Sequence, residues 1–134
     1  MAKIQCHEGC CPVTVVQSLM AGKWKFIILW QLSQKTRRFN ELQKLLPGIS
    51  QGILTQQLRE LEQDGLVHRE VYKEVPPKVE YSLTDIGHSF IPILDVIGEW
   101  GKCYINSKLK TDKVENVELV KRLNCEKILH IIKQ

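Results

Sequence analysis

The sequence contains no long apolar run. Its longest, residues 26–30, is five residues, against the ~20 that a membrane helix needs. Residues 1–11 hold no apolar stretch of the signal-peptide kind, so a cytoplasmic location is expected. There is no internal repeat and no low-complexity segment. There is no Gly-rich phosphate loop, no patterned pair of carboxylates and no Ser/His/Asp or Cys/His/Asp spacing, and His68, His88 and His130 are scattered. Enzyme chemistry and a bound cofactor are therefore not expected. What remains is a chain of 134 residues, 43% hydrophobic and 25% charged. That composition excludes a collagen-like or wholly disordered chain and fits one small domain.

The charge is unevenly spread. Residues 1–47 carry seven Lys/Arg against two acids, residues 48–104 five against nine, and residues 105–134 seven against four, for a net charge of +4. A basic first third points weakly to a polyanionic partner; an ordinary solvated surface would look the same.

Five cysteines are present: Cys6, Cys10, Cys11, Cys103 and Cys125. An odd count in a reducing compartment argues against a disulfide framework and leaves metal or redox roles to consider. Cys6, His7, Cys10 and Cys11 could ligate a soft metal. Their spacing departs from a paired C-x₂-C site, and adjacent cysteines chelate one ion awkwardly, so no metal site is expected.

The elements read as follows. Residues 1–10 form a Cys/His arm. Pro12 suits the first position of a helix, with Cys11 at its cap and Val13, Val16, Leu19 and Met20 at helical spacing. Ala21-Gly22 ends it. A second helix over 24–33 is apolar on more than one face. After a basic link, Phe39, Leu42, Leu45 and Leu46 line a short helix, and Pro47-Gly48 turns. Ser50 caps a helix running to about residue 64, and Gly65 stops it. Residues 66–75 and 79–83 read as two strands of a hairpin with Pro76-Pro77-Lys78 at its tip. Thr84 caps a long helix over 85–107, ~35 Å in length, which Pro92 should kink. Residues 111–134 suggest a helical extension of unknown role.

This order specifies a mainly α fold with a small β-hairpin wing, a winged helix-turn-helix. At ~100° per residue, Leu54, Leu58 and Leu61 cluster within about 60° and face the core. Gly52, Thr55, Gln56, Arg59 and Gln63 fall opposite, with Ser50 and Gln51 at the helix start. Gln, Arg and Thr are residue types that read base edges in the major groove, and Gly52 allows close approach. Any amphipathic helix has a solvated face; the shortage of acids on this one favours a DNA reader. Arg37, Arg38, Lys73 and Lys78 are placed to clamp flanking phosphates. A winged helix used only for protein contact is the competing reading.

The motifs are also recognisable together. Cys11-Pro12, Gly22-Lys23-Trp24, Arg38-Phe39-Asn40-Glu41-Leu42, Pro47-Gly48-Ile49-Ser50, Leu54-Thr55-Gln56-Gln57-Leu58-Arg59-Glu60-Leu61, Asp64-Gly65-Leu66-Val67, Val75-Pro76-Pro77-Lys78-Val79-Glu80-Tyr81-Ser82-Leu83-Thr84 and Gly98-Glu99-Trp100 occur in order. Over about residues 10–107 the chain closely resembles the HxlR-type bacterial transcription regulators, relatives of the MarR group. The resemblance implies a homodimer on double-stranded DNA with a palindromic operator, paired through the N-terminal and long C-terminal helices. The sequence offers Val13 and Val16 on the first helix for this. On the long helix it offers a stripe of Ile86, Phe90, Ile93, Leu94, Ile97, Trp100 and Tyr104, widened by Ile91, Val96 and Ile105. The tail from about residue 111 has no counterpart in the family pattern.

The resemblance further implies that the cysteine of the Cys-Pro pair senses oxidants or small reactive electrophiles. Local physics permits it, because a helix N-terminus lowers a thiol pKa, and Lys23 and Lys25 would help if they fold nearby. Cys10 or Cys6 could resolve an oxidised Cys11, and Cys103 could pair with it across a dimer. A regulator that binds a small organic ligand in the dimer cleft, with Cys11 structural, is the alternative.

Overall fold

The computed structural model describes residues 9–112. The Cys6/His7 part of the arm, Cys125 and nearly all of the C-terminal extension lie outside the described residues. The described chain divides between Ile91 and Pro92 into two compact units.

The first unit holds helices α1 (Pro12–Leu19) and α2 (Lys25–Gln34), strand β1 (Arg37–Arg38), helices α3 (Phe39–Leu45) and α4 (Gln51–Gln63), strands β2 (Val67–Tyr72) and β3 (Lys78–Leu83), and helix α5 (Asp85–Ser89). The second unit's described part is helix α6, which the chain enters at Ile91 and follows to Asp112.

Each boundary has a local cause. Arg38 N–H donates to Glu41 Oε1 at 3.3 Å, closing the first turn of α3. Ser50 Oγ accepts from Ile53 N–H at 3.2 Å and so caps α4. The other end of α4 is a Schellman closure: Gly65 N–H reaches Glu62 O and Leu66 N–H reaches Leu61 O, both at 3.0 Å. Gly65 sits at φ 78°, a left-handed conformation that favours glycine.

Three expectations are corrected. The wing is not a lone hairpin: Arg37 and Arg38 pair antiparallel with Tyr81 and Glu80, making a three-stranded sheet in the order β1-β3-β2. Two residues are too few for a strand period to be read from the sequence. The long helix over 85–107 is not merely kinked; it is interrupted at Phe90, which ends α5 before α6 begins. Pro92 lacks the N–H that would bond back to His88 O, and its ring crowds that carbonyl. The strand expected over 66–75 is also shorter, Val67–Tyr72, ending before the Pro76-Pro77 tip.

The core of the first unit is built by Ile28, Leu29 and Leu32 of α2, Leu42 of α3, and Leu54, Leu58 and Leu61 of α4, all buried. The helical spacing of these leucines is what fixes the orientation of α4. Phe90 stacks on Phe26, ring centroids 6.2 Å apart and planes at 8°.

The root of the wing is a tight corner. Thr84 Oγ1 accepts from Gly87 N–H at 3.1 Å, and Thr84 N–H donates to Leu66 O at 3.1 Å. A Cβ on Gly87 would collide with the backbone oxygen of Leu66. Gly87→Ala should therefore destabilise the fold by ~1–3 kcal/mol, the usual cost of overpacking. Equilibrium urea denaturation measures this directly; an unchanged midpoint would refute the contact.

Candidate nucleic-acid interface

Helix α4 presents Gln51, Gly52, Gln56 and Arg59 to solvent, with Thr55 half-buried. Gln51, Gly52, Thr55, Gln56, Arg59, Glu60 and Gln63 line one shallow depression along it. Thr55 Oγ1 donates to Gln51 O at 2.8 Å, so its hydroxyl proton is used within the helix. Gln56 Nε2 donates to Glu60 Oε1 at 3.3 Å, which restrains the Gln56 side chain on the exposed face. Ser50, expected both as the helix cap and at the interface, caps α4 through its hydroxyl.

The basic residues expected as phosphate clamps divide. Arg38 and Lys73 are exposed. Arg37 is turned inward, with 14% of its side chain exposed, and Nε donates to Gln31 O at 3.5 Å. Strand β1 causes this: alternation sends Arg37 and Arg38 to opposite faces. Lys78 pairs with Glu80 at 3.0 Å and lies 4.7 Å from the centre of the Tyr72 ring. The Lys78 ammonium, followed by burial acting against it, leaves the Glu80 carboxyl below its ordinary pKa.

Beneath α4 is a feature that the sequence did not disclose. Lys25 is 1% exposed and its Nζ lies 2.6 Å from Glu60 Oε2. The same ammonium reaches Leu19 O, at the end of α1, at 3.3 Å. Lys25 is thus committed to α4 and is not available to assist Cys11, while Lys23 lies over the Trp24 ring at 5.0 Å. Beside the pair, Gly22 at φ 131° packs against the Gln57 carboxamide, whose Nε2 would stand 2.8 Å from a Cβ there.

This arrangement is a helix-turn-helix whose second helix offers a polar face, flanked by a wing. The family model for HxlR-like helix-turn-helix proteins matches residues 19–109. The chain belongs to this family. It is accordingly a transcriptional regulator with a DNA-binding helix-turn-helix. Among curated proteins it is 52% identical over 108 residues to the uncharacterized HTH-type transcriptional regulator YdeP of Bacillus subtilis, covering 81% of each chain. The solved "Redox regulator HypR in its oxidized form" is 50% identical at a TM-score of 0.66, over 69% of this chain and 96% of that one. The reduced form of the regulator YodB from B. subtilis is 34% identical at a TM-score of 0.62, over 69% and 92%.

Within this HxlR-type chain, Cys10 and Cys11 are free and exposed. Cys11 occupies the cap position of α1 in extended backbone, without a hydrogen bond of regular cap geometry from its side chain. The backbone N–H of Thr14, then that of Val13, then the Thr14 hydroxyl hold its thiol below the ordinary value. Cys103 is half-buried on α6 and disulfide-bonded. Among the described residues no group of three or more His, Cys, Asp or Glu could hold a metal, and no helix is long and apolar enough to cross a membrane.

The apolar residues expected between copies also divide. Val13 is 73% exposed and Trp100 60%, and Val16, Ile93, Ile97 and Tyr104 are exposed too. Phe90 and Leu94 are buried within the single chain. Phe90 and Leu94 thus contribute little exposed surface to the stripe, which is carried by Ile86, Ile93, Ile97, Trp100 and Tyr104.

The Lys25 pair makes stability pH-dependent. The hydrogen bond from Lys25 keeps the Glu60 carboxyl below its ordinary pKa, against burial, which raises it. A depressed carboxyl contributes stability above its unfolded pKa, about 4.3, and that contribution disappears as pH falls through the folded value. Glu60→Gln should cost ~3 kcal/mol at neutral pH by leaving the Lys25 charge buried and unpaired. It should also remove part of the acid loss below about pH 4.3. Denaturation midpoints of both proteins across pH check the two effects; parallel profiles would rule out the pair as a determinant.

Proposed function

We propose that this chain works as a homodimeric DNA-binding regulator whose affinity is set by the chemical state of Cys11. The observation that carries this reading is an exposed thiol of lowered pKa at the start of α1. A thiolate is the reactive form toward peroxides and electrophiles. With a peroxide, the Cys11 sulfur attacks one oxygen and becomes a sulfenic acid, and the other oxygen leaves as hydroxide. A second thiolate then displaces hydroxide to give a disulfide. A soft electrophile would instead be captured as a thioether or mixed disulfide.

Cys10 of the same chain is a poor second thiol. Neighbouring Cα atoms are ~3.8 Å apart, below the ~4.4 Å that an unstrained disulfide requires. A thiol on a second copy is free of that constraint. The naming of one solved relative as a redox regulator with an oxidised form adds support.

A second copy is favoured by the exposed apolar faces. Helix α1 has no buried residue. Phe26, Ile27 and Trp30 of α2, and separately Ile93, Ile97, Trp100 and Tyr104 of α6, are more than a third exposed. So much apolar surface marks a contact between chains. Two copies would set their α4 helices ~34 Å apart on successive major grooves of a palindrome. Movement of α1 has a route to the reader, because Leu19 O, Lys25 and Glu60 link the end of α1 to α4.

Mild oxidation should change the affinity of wild type for its operator by at least about tenfold, ~1.4 kcal/mol. The operator fragment can be drawn from the region upstream of the chain's own gene or selected from random duplexes. Cys11→Ser should bind equally well before and after treatment. If wild type binds and oxidation leaves its affinity untouched, the thiol reading fails and a ligand in the dimer cleft replaces it.

A further inference from the structure

Between α4 and the sheet lies a cleft of about 240 Å³, lined by Thr55, Arg59 and Glu62 from the helix and Arg69 and Tyr81 from the sheet. Arg69 is the residue of interest. Val67, Arg69 and Val71 alternate onto one face of β2, and across the ladder they stand opposite Leu83, Tyr81 and Val79. Val67 and Leu83 on that face are core residues, 2% and 8% exposed, and Tyr81 is 8% exposed. Arginine therefore occupies a position that the strand pattern reserves for an apolar side chain. It lies where the sheet runs out from under α4, and it remains exposed.

Arg69 and Arg59 converge on the same cleft from different elements, and neither has an ion-pair partner among the described residues. Glu62 also lines the cleft but is not paired with either guanidinium. Two unpaired guanidiniums at the border of a DNA-reading face form a seat for a bidentate oxyanion. The Tyr81 ring gives the cleft an apolar wall.

Resting on the reading of α4 as the DNA reader, we infer that Arg69 and Arg59 together hold one backbone phosphate of the duplex. Arg59 is then a phosphate ligand rather than the guanine reader its side-chain type suggested. Sequence discrimination falls to Gln51, Thr55 and Gln56. Glu62 opposes the bound anion and weakens the contact, which limits binding to unrelated DNA.

The test uses the full chain, a selected operator duplex and a scrambled duplex of ~30 bp, about three helical turns. Affinity is measured from ~50 to ~200 mM salt. Arg69→Ala should weaken binding to both duplexes by the same factor and reduce the salt slope by about 0.9 for each chain bound. Arg69→Lys should restore most of the slope, and Glu62→Gln should tighten binding to the scrambled duplex. Thermal unfolding of the variants should match wild type, because Arg69 is exposed. An unchanged slope in Arg69→Ala, beside a wild type that binds with steep salt dependence, overturns this inference alone. So does a loss confined to the operator, which would make Arg69 a base reader. Absence of salt-dependent binding by wild type overturns the DNA reading of α4 together with it.

Discussion

The structure turns on one buried ammonium group. A lysine with 1% of its side chain exposed must find a counter-charge, because an unpaired charge in a low-dielectric core costs several kcal/mol. Lys25 finds Glu60 on α4 and the Leu19 carbonyl at the end of α1. Three helices therefore meet at one atom. Glu60 uses its second oxygen on the Gln56 amide, so the network surfaces on the exposed face of α4. Gly22 completes the junction by allowing the Gln57 carboxamide to pack against bare backbone. Leucines hold α4 in the core and set which face it buries, and this polar junction ties it to the end of the helix that begins at Cys11.

The cap residue at the start of α1 and the lysine beyond its end do complementary work. At Cys11, first-turn N–H groups lower the thiol pKa while leaving the sulfur open to solvent. At Leu19, the terminal carbonyl that would otherwise lack a partner is bonded by Lys25. The helix between them is eight residues long and buries none of its side chains. So short a helix has little stability of its own. Its position depends on what holds its two ends, and the proposed thiol chemistry would act at one of them.

Much of this was legible in the sequence, for reasons that differ by element. Helix α4 could be read almost to the residue, because three leucines, a serine cap and a glycine stop all agree. The β2 and β3 strands followed from alternation and a Pro-Pro tip. Strand β1 could not, since two residues have no period and its partners come from β3. The apolar stripe past residue 84 was visible, but projection alone could not tell which of its members the chain itself buries, as it does Phe90 and Leu94. Lys25 looked like one more basic residue near a cysteine; its partner lies far along the chain, and no local pattern announces a buried pair. Arg69 did leave a signal, a charged residue at an apolar register position, which a reading based on tip lysines passed over.

The corner at the root of the wing carries a consequence for the duplex. Gly65 and Leu66 close α4, Thr84 bonds to both of their carbonyl groups, and Gly87 sits where only a hydrogen atom fits. Reader and wing are thereby tied together at one tightly packed corner. If that corner keeps its shape on binding, the nucleic acid is the partner that has to deform. Sequences that bend or narrow a groove at low cost then fit better than stiff ones. Base pairs that no side chain touches would on that reading acquire a vote in operator choice, cast through the elasticity of the double helix.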